Sequence, residues 1–142
     1  MIRCSSSGFA WQQLHAELDA VERGRQFVLS NASQVHVPAD TLNRIAVVLE
    51  EVLMNIIRYA YAEEQRGLIE VGCGLAQEGL FCVTIRDKGK AFNPLLLHTP
   101  DITIGIEERK IGGLGIHLIR QLADNIDYQR SGGWNEVTCC FK

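Results

Sequence analysis

No stretch of this 142-residue chain approaches the roughly 18–20 consecutive apolar residues that a membrane-spanning helix needs. The opening Met1-Ile2-Arg3-Cys4-Ser5-Ser6-Ser7 lacks the hydrophobic centre of a secretory signal. An excess of positive charge is missing too. The formal net charge is −3, with basic clusters only at Arg23/Arg25 and Lys88/Lys90, so the total favours no polyanion and no direct nucleic-acid contact. There is no CxxC pair, and His15, His36, His98 and His117 are scattered, which removes the ligand spacing of a structural zinc site. The five cysteines are odd in number and irregular in spacing. They are expected as reduced, largely buried thiols of a cytoplasmic protein. Cys139 and Cys140 are adjacent in a strand-like stretch and should point to opposite faces. Repeats, low-complexity tracts and linkers are also absent, so residues 1–142 are expected to form one domain.

The chain has 46% apolar and 22% charged residues, the balance of a globular domain with a real core. Residues 8–17 fit a strand or a helix. A helical pattern follows from Leu18 to Leu29, weakened by Gly24, and Asn31-Ala32-Ser33 reads as a loop. Pro38 lies close to the first turn of a long helix running from about Ala39 to Glu63 or Glu64. Ile69, Val71, Cys73 and Leu75 alternate with smaller or polar residues at the strand period, and Gln77-Glu78-Gly79 is a turn. The continuous apolar run from Leu80 to Arg86 suits a central strand. Residues 95–112 show no sustained period. A helix is expected from Ile116 to about Asp124, then strands at Ile126–Gln129 and Trp134–Phe141. Close succession of strands favours antiparallel pairing. The fold class expected is α/β (α+β), a two-layer sandwich of helices on a mixed, mostly antiparallel sheet.

Three stretches carry chemistry. In the long helix, Ile45, Val48, Leu49, Val52, Leu53, Ile56, Ile57 and Ala60 form one apolar face. Glu51 and Asn55 stand one above the other at its rim, and Tyr59 continues the row. They are either an edge polar pair or a base and a metal ligand aimed into a pocket. Asp87 directly follows the central strand, Gly89 comes two residues later, and Phe92 and Pro94 pin the loop. That stretch is either a plain turn or a carboxylate that accepts a hydrogen bond from an exocyclic amine, with a flat ring over Gly89. Gly113-Leu114-Gly115 opens a helix, as a flexible lead-in or as an amide cradle for phosphate. A dinucleotide fingerprint fails because position 118 is Leu, and the Gly-Lys-Ser/Thr of a Walker A loop is absent.

In order and spacing these stretches resemble the gyrase/Hsp90/histidine-kinase/mismatch-repair ATPase superfamily, whose nucleotide-binding unit is called the Bergerat fold. Glu51 and Asn55 resemble its N box, Asp87, Gly89 and Phe92 its G1 box, and Gly113 and Gly115 its G2 box. The chain is most similar to the small bacterial anti-sigma factor serine kinases and related switch kinases, through Glu51…Asn55…Tyr59-Ala60-Tyr61, Asp87–Pro94 and Gly112–Asp124. The likeness covers nearly the whole chain and is weakest over the first 15 residues or so. Tyr59 departs from the usual His, and Lys88 and Lys90 make the G1 loop more basic; solvation is the favoured role for both lysines.

The resemblance implies a histidine-kinase-like ATPase domain that binds ATP and Mg²⁺ and acts as a protein serine/threonine kinase. Glu51 would be the general base and Asn55 the metal ligand. Asp87 would select adenine, with Gly89 and Phe92 around the base. Gly113, Leu114 and Gly115 would hold phosphate and hinge a lid formed by 95–112. The implied partners are a small anti-sigma-factor antagonist of STAS type and a sigma factor, with homodimerisation common in the family. A sensor histidine kinase would need a phosphoacceptor helix pair, and none precedes this domain. The competing expectation is a non-catalytic module that binds nucleotide only to set its shape.

Overall fold

The computed structural model describes residues 8–61, 67–91 and 113–142. In chain order the elements are β1 (Ala10–His15), α1 (Asp19–Gln34), α2 (Ala39–Asn55) followed by a π-helical turn (Ile56–Ala60), β2 (Leu68–Leu75), a 3-10 turn (Gln77–Gly79), β3 (Phe81–Asp87), α3 (Gly113–Leu122), β4 (Asn125–Ser131) and β5 (Trp134–Phe141). The strands form one sheet in the order β1-β2-β3-β5-β4. Every described pairing is antiparallel. The apolar run read as a central strand is the middle strand of the five.

Strand alternation decides which face is buried. Leu14, Ile69, Val71, Cys73, Phe81, Val83, Ile85, Val137, Cys139 and Phe141 face the helices and join one core with α1, α2 and α3. From α2 the core takes Ile45, Val48, Leu49, Val52, Leu53 and Ile56, the face read from the period of the sequence, with Ile57 partly buried beside it. From α1 it takes Ala20, Gly24, Val28 and Ala32, four small residues at a spacing of four. Gly24 weakens the helix but permits a close approach: a Cβ there would sit 3.0 Å from Leu53 Cδ1 and 3.4 Å from Leu14 Cδ1.

Residues 10–15, open between strand and helix in the sequence, are an edge strand. Two boundaries differ from expectation. Asn31-Ala32-Ser33, read as a loop, lies inside α1. Ala32 continues the buried row, and Asn31 Nδ2 returns to the Phe27 carbonyl at 2.8 Å, so its polar group is satisfied within the helix. The helix instead ends at Gln34, and His36 beyond it takes the left-handed position, with a φ of 63°. The long helix stops at Ala60, because Tyr61 is extended, with φ −119° and ψ 143°.

The outer face of the sheet carries no helix among the described residues. Arg86 is ion-paired there with Glu70 at 3.1 Å and Glu136 at 3.3 Å, and lies 4.6 Å over the Trp134 ring. Cys82 and Cys140 are direct partners across β3 and β5 on this face and form a disulfide. This corrects the expectation of reduced thiols throughout. The pairing needs a register between residues 58 apart, which irregular spacing alone does not show. Cys73 and Cys139 are free and buried. Cys139 faces the main core and Cys140 a small second cluster, so the two do point to opposite faces. No described helix is long and apolar enough to cross a membrane.

Candidate functional site

Asp87 ends β3 on the same face as Phe81, Val83 and Ile85, where the core gives way to loop. It is only 4% exposed. Its Oδ1 accepts the Gly89 N–H at 2.8 Å, closing a turn over two residues, and the Asn135 Nδ2 at 3.0 Å. Among the described residues, Oδ2 makes no hydrogen bond. Burial raises the carboxyl above the usual carboxylate range, against the opposing pull of Asn135, the Gly89 amide and the Arg130 charge.

Asn55 is the last residue of α2 and is 8% exposed. Its carboxamide makes no side-chain hydrogen bond among the described residues. The carboxamide is not among the buried polar atoms left without a partner, so its oxygen is open to solvent or to a ligand. Glu51, one turn earlier, is half-buried, while Glu50 and Arg58 are exposed. The π turn begins immediately after Asn55. Widening the helix to i→i+5 bonding takes Tyr59 out of the strict i,i+4 row in which it was expected.

Tyr61 ties this helix end to the Asp87 loop. Its hydroxyl accepts the Lys88 N–H at 2.7 Å and donates to the Leu68 carbonyl at 2.8 Å. Burial pushes the phenol above its ordinary value; the Lys88 amide opposes this and the Asp87 charge adds to it. Gly67 is required beside it, since a Cβ there would lie 2.4 Å from the Tyr61 ring. Gly113, Leu114 and Gly115 form the first turn of α3 rather than a lead-in to it. Arg44, near the start of α2, donates to the Leu122 carbonyl at the end of α3 at 3.0 Å. The start of α2 and the end of α3 therefore meet.

Lys88 and Lys90 are exposed, and Lys88 Nζ rests 4.7 Å over Trp134, on the outer face of the sheet. Phe92, Pro94 and the lid expected at 95–112 lie outside the described residues. A separate groove of about 470 Å³ along α1 and β1, lined by Gln12, Arg23, Gln26, Phe27, Ser30 and Asn31, contains none of the expected site residues.

Asn135 and Arg130 were missed in the sequence, and Tyr61 was read only as part of the Tyr59-Ala60-Tyr61 run, without its contacts to Leu68 and Lys88. A signal for Asn135 was present: Trp134–Phe141 alternates so that Val137, Cys139 and Phe141 share one face, and Asn135 is the polar residue on it. A polar group on a buried face must find partners. Its partner Asp87 is visible only once β3 and β5 are paired.

A carboxylate with one uncommitted oxygen suits an exocyclic amine, and a carboxamide oxygen suits a hard cation. Among the described residues no cluster of three or more His, Cys, Asp or Glu forms a cage for a metal. A Mg²⁺ ion that keeps its waters and rides on phosphates needs no such cage. The residues present thus fit a magnesium nucleotide.

The family model for the histidine kinase-like ATPase domain matches residues 14–141, and the chain belongs to that family. Among its relatives it is similar to the serine-protein kinase RsbW of Bacillus velezensis, 25% identical over 135 residues, covering 91% of this chain and 82% of that protein. It is also similar to the serine/threonine-protein kinase BtrW of Bordetella bronchiseptica, 26% identical over 94 residues, with 66% of each chain covered. Its fold matches the RsbU and RsbW domains of Rv1364c from Mycobacterium tuberculosis with a TM-score of 0.65 at 15% identity, covering 94% of this chain and 32% of that one. It matches a chain of the SiaB–SiaC complex from Pseudomonas aeruginosa with a TM-score of 0.64 at 12% identity, covering 92% and 88%.

Proposed function

We propose that this chain is an ATP- and Mg²⁺-dependent protein serine/threonine kinase of the anti-sigma factor type. It would phosphorylate a small antagonist domain of STAS type and sequester a sigma factor or similar regulator in the cytoplasm, with residues 1–142 acting as one domain. The carrying observation is Asp87: a carboxylate only 4% exposed at the end of β3, its Oδ1 held by the Gly89 amide and Asn135 and its Oδ2 uncommitted among the described residues. The relatives RsbW and BtrW are protein kinases by name, and one structural neighbour is part of a two-protein complex.

Bound Mg²⁺·ATP would supply the phosphoryl group and neutralise its charge. The chain's own residues would do the rest. Asn55 would offer its carbonyl oxygen to the metal. Asp87 would accept the adenine amine, with the backbone of Gly89 close to the ring and Phe92 beside it. The first-turn amides at Gly113, Leu114 and Gly115 would face the phosphates. Glu51 would take the proton of the incoming hydroxyl. A carboxylate of pKa about 4.3 is a weak base in water and becomes effective through position.

The deciding experiment mixes purified chain with γ-labelled ATP, Mg²⁺ and candidate antagonist domains. Transfer of label to a serine or threonine of one of them is expected. Tight ATP binding with no transfer to any of them would favour the binding module instead.

A further inference from the structure

We propose that Asn135 is a positioning residue that sets the base specificity of this site. By occupying Oδ1 of Asp87 it leaves Oδ2 to meet an exocyclic amine, which selects a 6-aminopurine over a 6-oxopurine. This rests on the nucleotide-binding function proposed above.

Asn135 lies directly across from Asp87 in the β3–β5 register and is 2% exposed. Its Nδ2 donates to Asp87 Oδ1 at 3.0 Å and to the Lys90 carbonyl at 2.9 Å, with the Gly89 carbonyl at the limit of reach, 3.5 Å. Its Oδ1 accepts from Tyr128 Oη at 2.6 Å and from Arg130 Nη1 at 2.9 Å. Only one orientation of the amide satisfies all of these. Turned over, it would set its oxygen against three acceptors and its NH₂ against two donors. Arg130 Nη1 also reaches the Gly89 carbonyl at 3.2 Å, so β4 and β5 together clamp the loop that follows Asp87.

The clamp acts on one side of the carboxylate. Oδ1 receives both Asn135 and the Gly89 amide, which fixes the plane of the group. Oδ2 remains an acceptor without a donor among the described residues. An ionised Oδ2 welcomes the amine of adenine and opposes the carbonyl of hypoxanthine or guanine, acceptor against acceptor. Without Asn135 the carboxyl could rotate, and it would take up a proton more readily. A protonated, rotating carboxyl can donate to a 6-oxo group, so discrimination should fall.

The test is calorimetry on the full chain at neutral pH with Mg²⁺·ATP and Mg²⁺·ITP, for wild type, Asp87→Ala, Asn135→Ala, Asn135→Asp and Tyr128→Phe. Asn135→Ala should weaken ATP binding about 10-fold or more while ITP changes little, so the ATP:ITP preference falls by a similar factor. Asn135→Asp keeps the shape but opposes two carboxylates, and should lose at least as much. Tyr128→Phe removes one outer bond without touching Asp87, and should lower the preference a few-fold. An unchanged ATP:ITP ratio in Asn135→Ala, with only a lower melting temperature, would make Asn135 merely structural and overturn the proposal. If Asn135→Ala does not fold, an unchanged ratio in Tyr128→Phe overturns it. ATP affinity undiminished in Asp87→Ala overturns the nucleotide site itself, whatever Asn135 does.

Discussion

Glu51 and Asn55 share a helical row, but the structure assigns them different surroundings: Glu51 is half-buried, and Asn55 is buried with no side-chain partner among the described residues. Their substitutions should therefore separate. Asn55→Ala should weaken nucleotide binding and turnover together. Glu51→Ala should leave ATP affinity within a few-fold and slow phosphoryl transfer about 10²–10⁴-fold. ATP titrations and partner phosphorylation check both, and wild-type turnover in Glu51→Ala would remove the general base.

Asp87 carries a second expectation at this scale. Its carboxyl is raised above the ordinary value chiefly by burial. The native state therefore holds a proton over a window where the unfolded chain does not, and stability declines as pH rises through that window. Ionised Asp87 thus opposes folding while serving binding, a familiar conflict at functional sites. Asp87→Asn should melt no lower than wild type at neutral pH, yet bind ATP about 10-fold or more weakly. The affinity of wild type for ATP should begin to fall, on acidification, above the pH at which an ordinary aspartate titrates. Asp87→Ala, measured over the same range, subtracts the titration of the nucleotide. Profiles that superimpose would show that Asp87 does not read the base.

Elements meet at Tyr61, where the π turn after α2, the start of β2 and the loop after β3 are joined by one hydroxyl. Two hydrogen bonds of about 1 kcal/mol each pass through that oxygen. Tyr61→Phe should lower the melting temperature modestly and speed hydrogen exchange at the Lys88 amide, which loses its acceptor. ATP affinity should fall a few-fold, because the chain entering the Gly89 turn is no longer held. Unchanged exchange at Lys88 would show that the strand end holds the loop without help. The glycine turn of α3 depends in the same way on its helix being docked: Ile119 fixes α3 into the core, and Arg44 holds its last turn.

Across the whole molecule, two devices secure the C-terminal strand. Arg44 and Thr41 of α2 both reach the Lys142 carbonyl, at 3.1 and 3.3 Å, and the Lys142 amide donates to Asp124 Oδ2 at 2.7 Å. The Cys82–Cys140 bridge crosses the central strand pair on the other face. A cross-link closing a loop of this length is worth about 2–4 kcal/mol. Reductant should accordingly lower the urea midpoint of wild type, and Cys82→Ser should lower it equally and abolish the effect of reductant. Burial pushes the free thiols up, Cys73 to about 11 and Cys139 to about 12. Alkylation of the native protein should spare both. Alkylation of the unfolded, unreduced chain should label Cys73 and Cys139 but neither Cys82 nor Cys140. Label on all four would show that the bridge is absent.

The sequence by itself determined the layers and the places where chemistry could sit. A 3.6-residue apolar period over Ile45–Ile56 can bury only one face, which leaves Glu51 and Asn55 at its rim. A period of two in the strands, with turns between them, makes a sheet with one covered face. Asp87 at the end of an apolar strand and glycines at the start of a helix are likewise local patterns. The tertiary structure decided what no local pattern contains. Asn31-Ala32-Ser33 has loop composition, yet Ala32 is buried in the core and Asn31 bonds back to the Phe27 carbonyl, so the segment stays helical. Tyr61 holds the Lys88 amide across 27 residues, Asn135 holds Asp87 across 48, and Cys82 meets Cys140 across 58. Each of these follows from strand register and helix docking, which are set jointly by the whole core. A single residue in the chain carries no record of its partner until that core has formed.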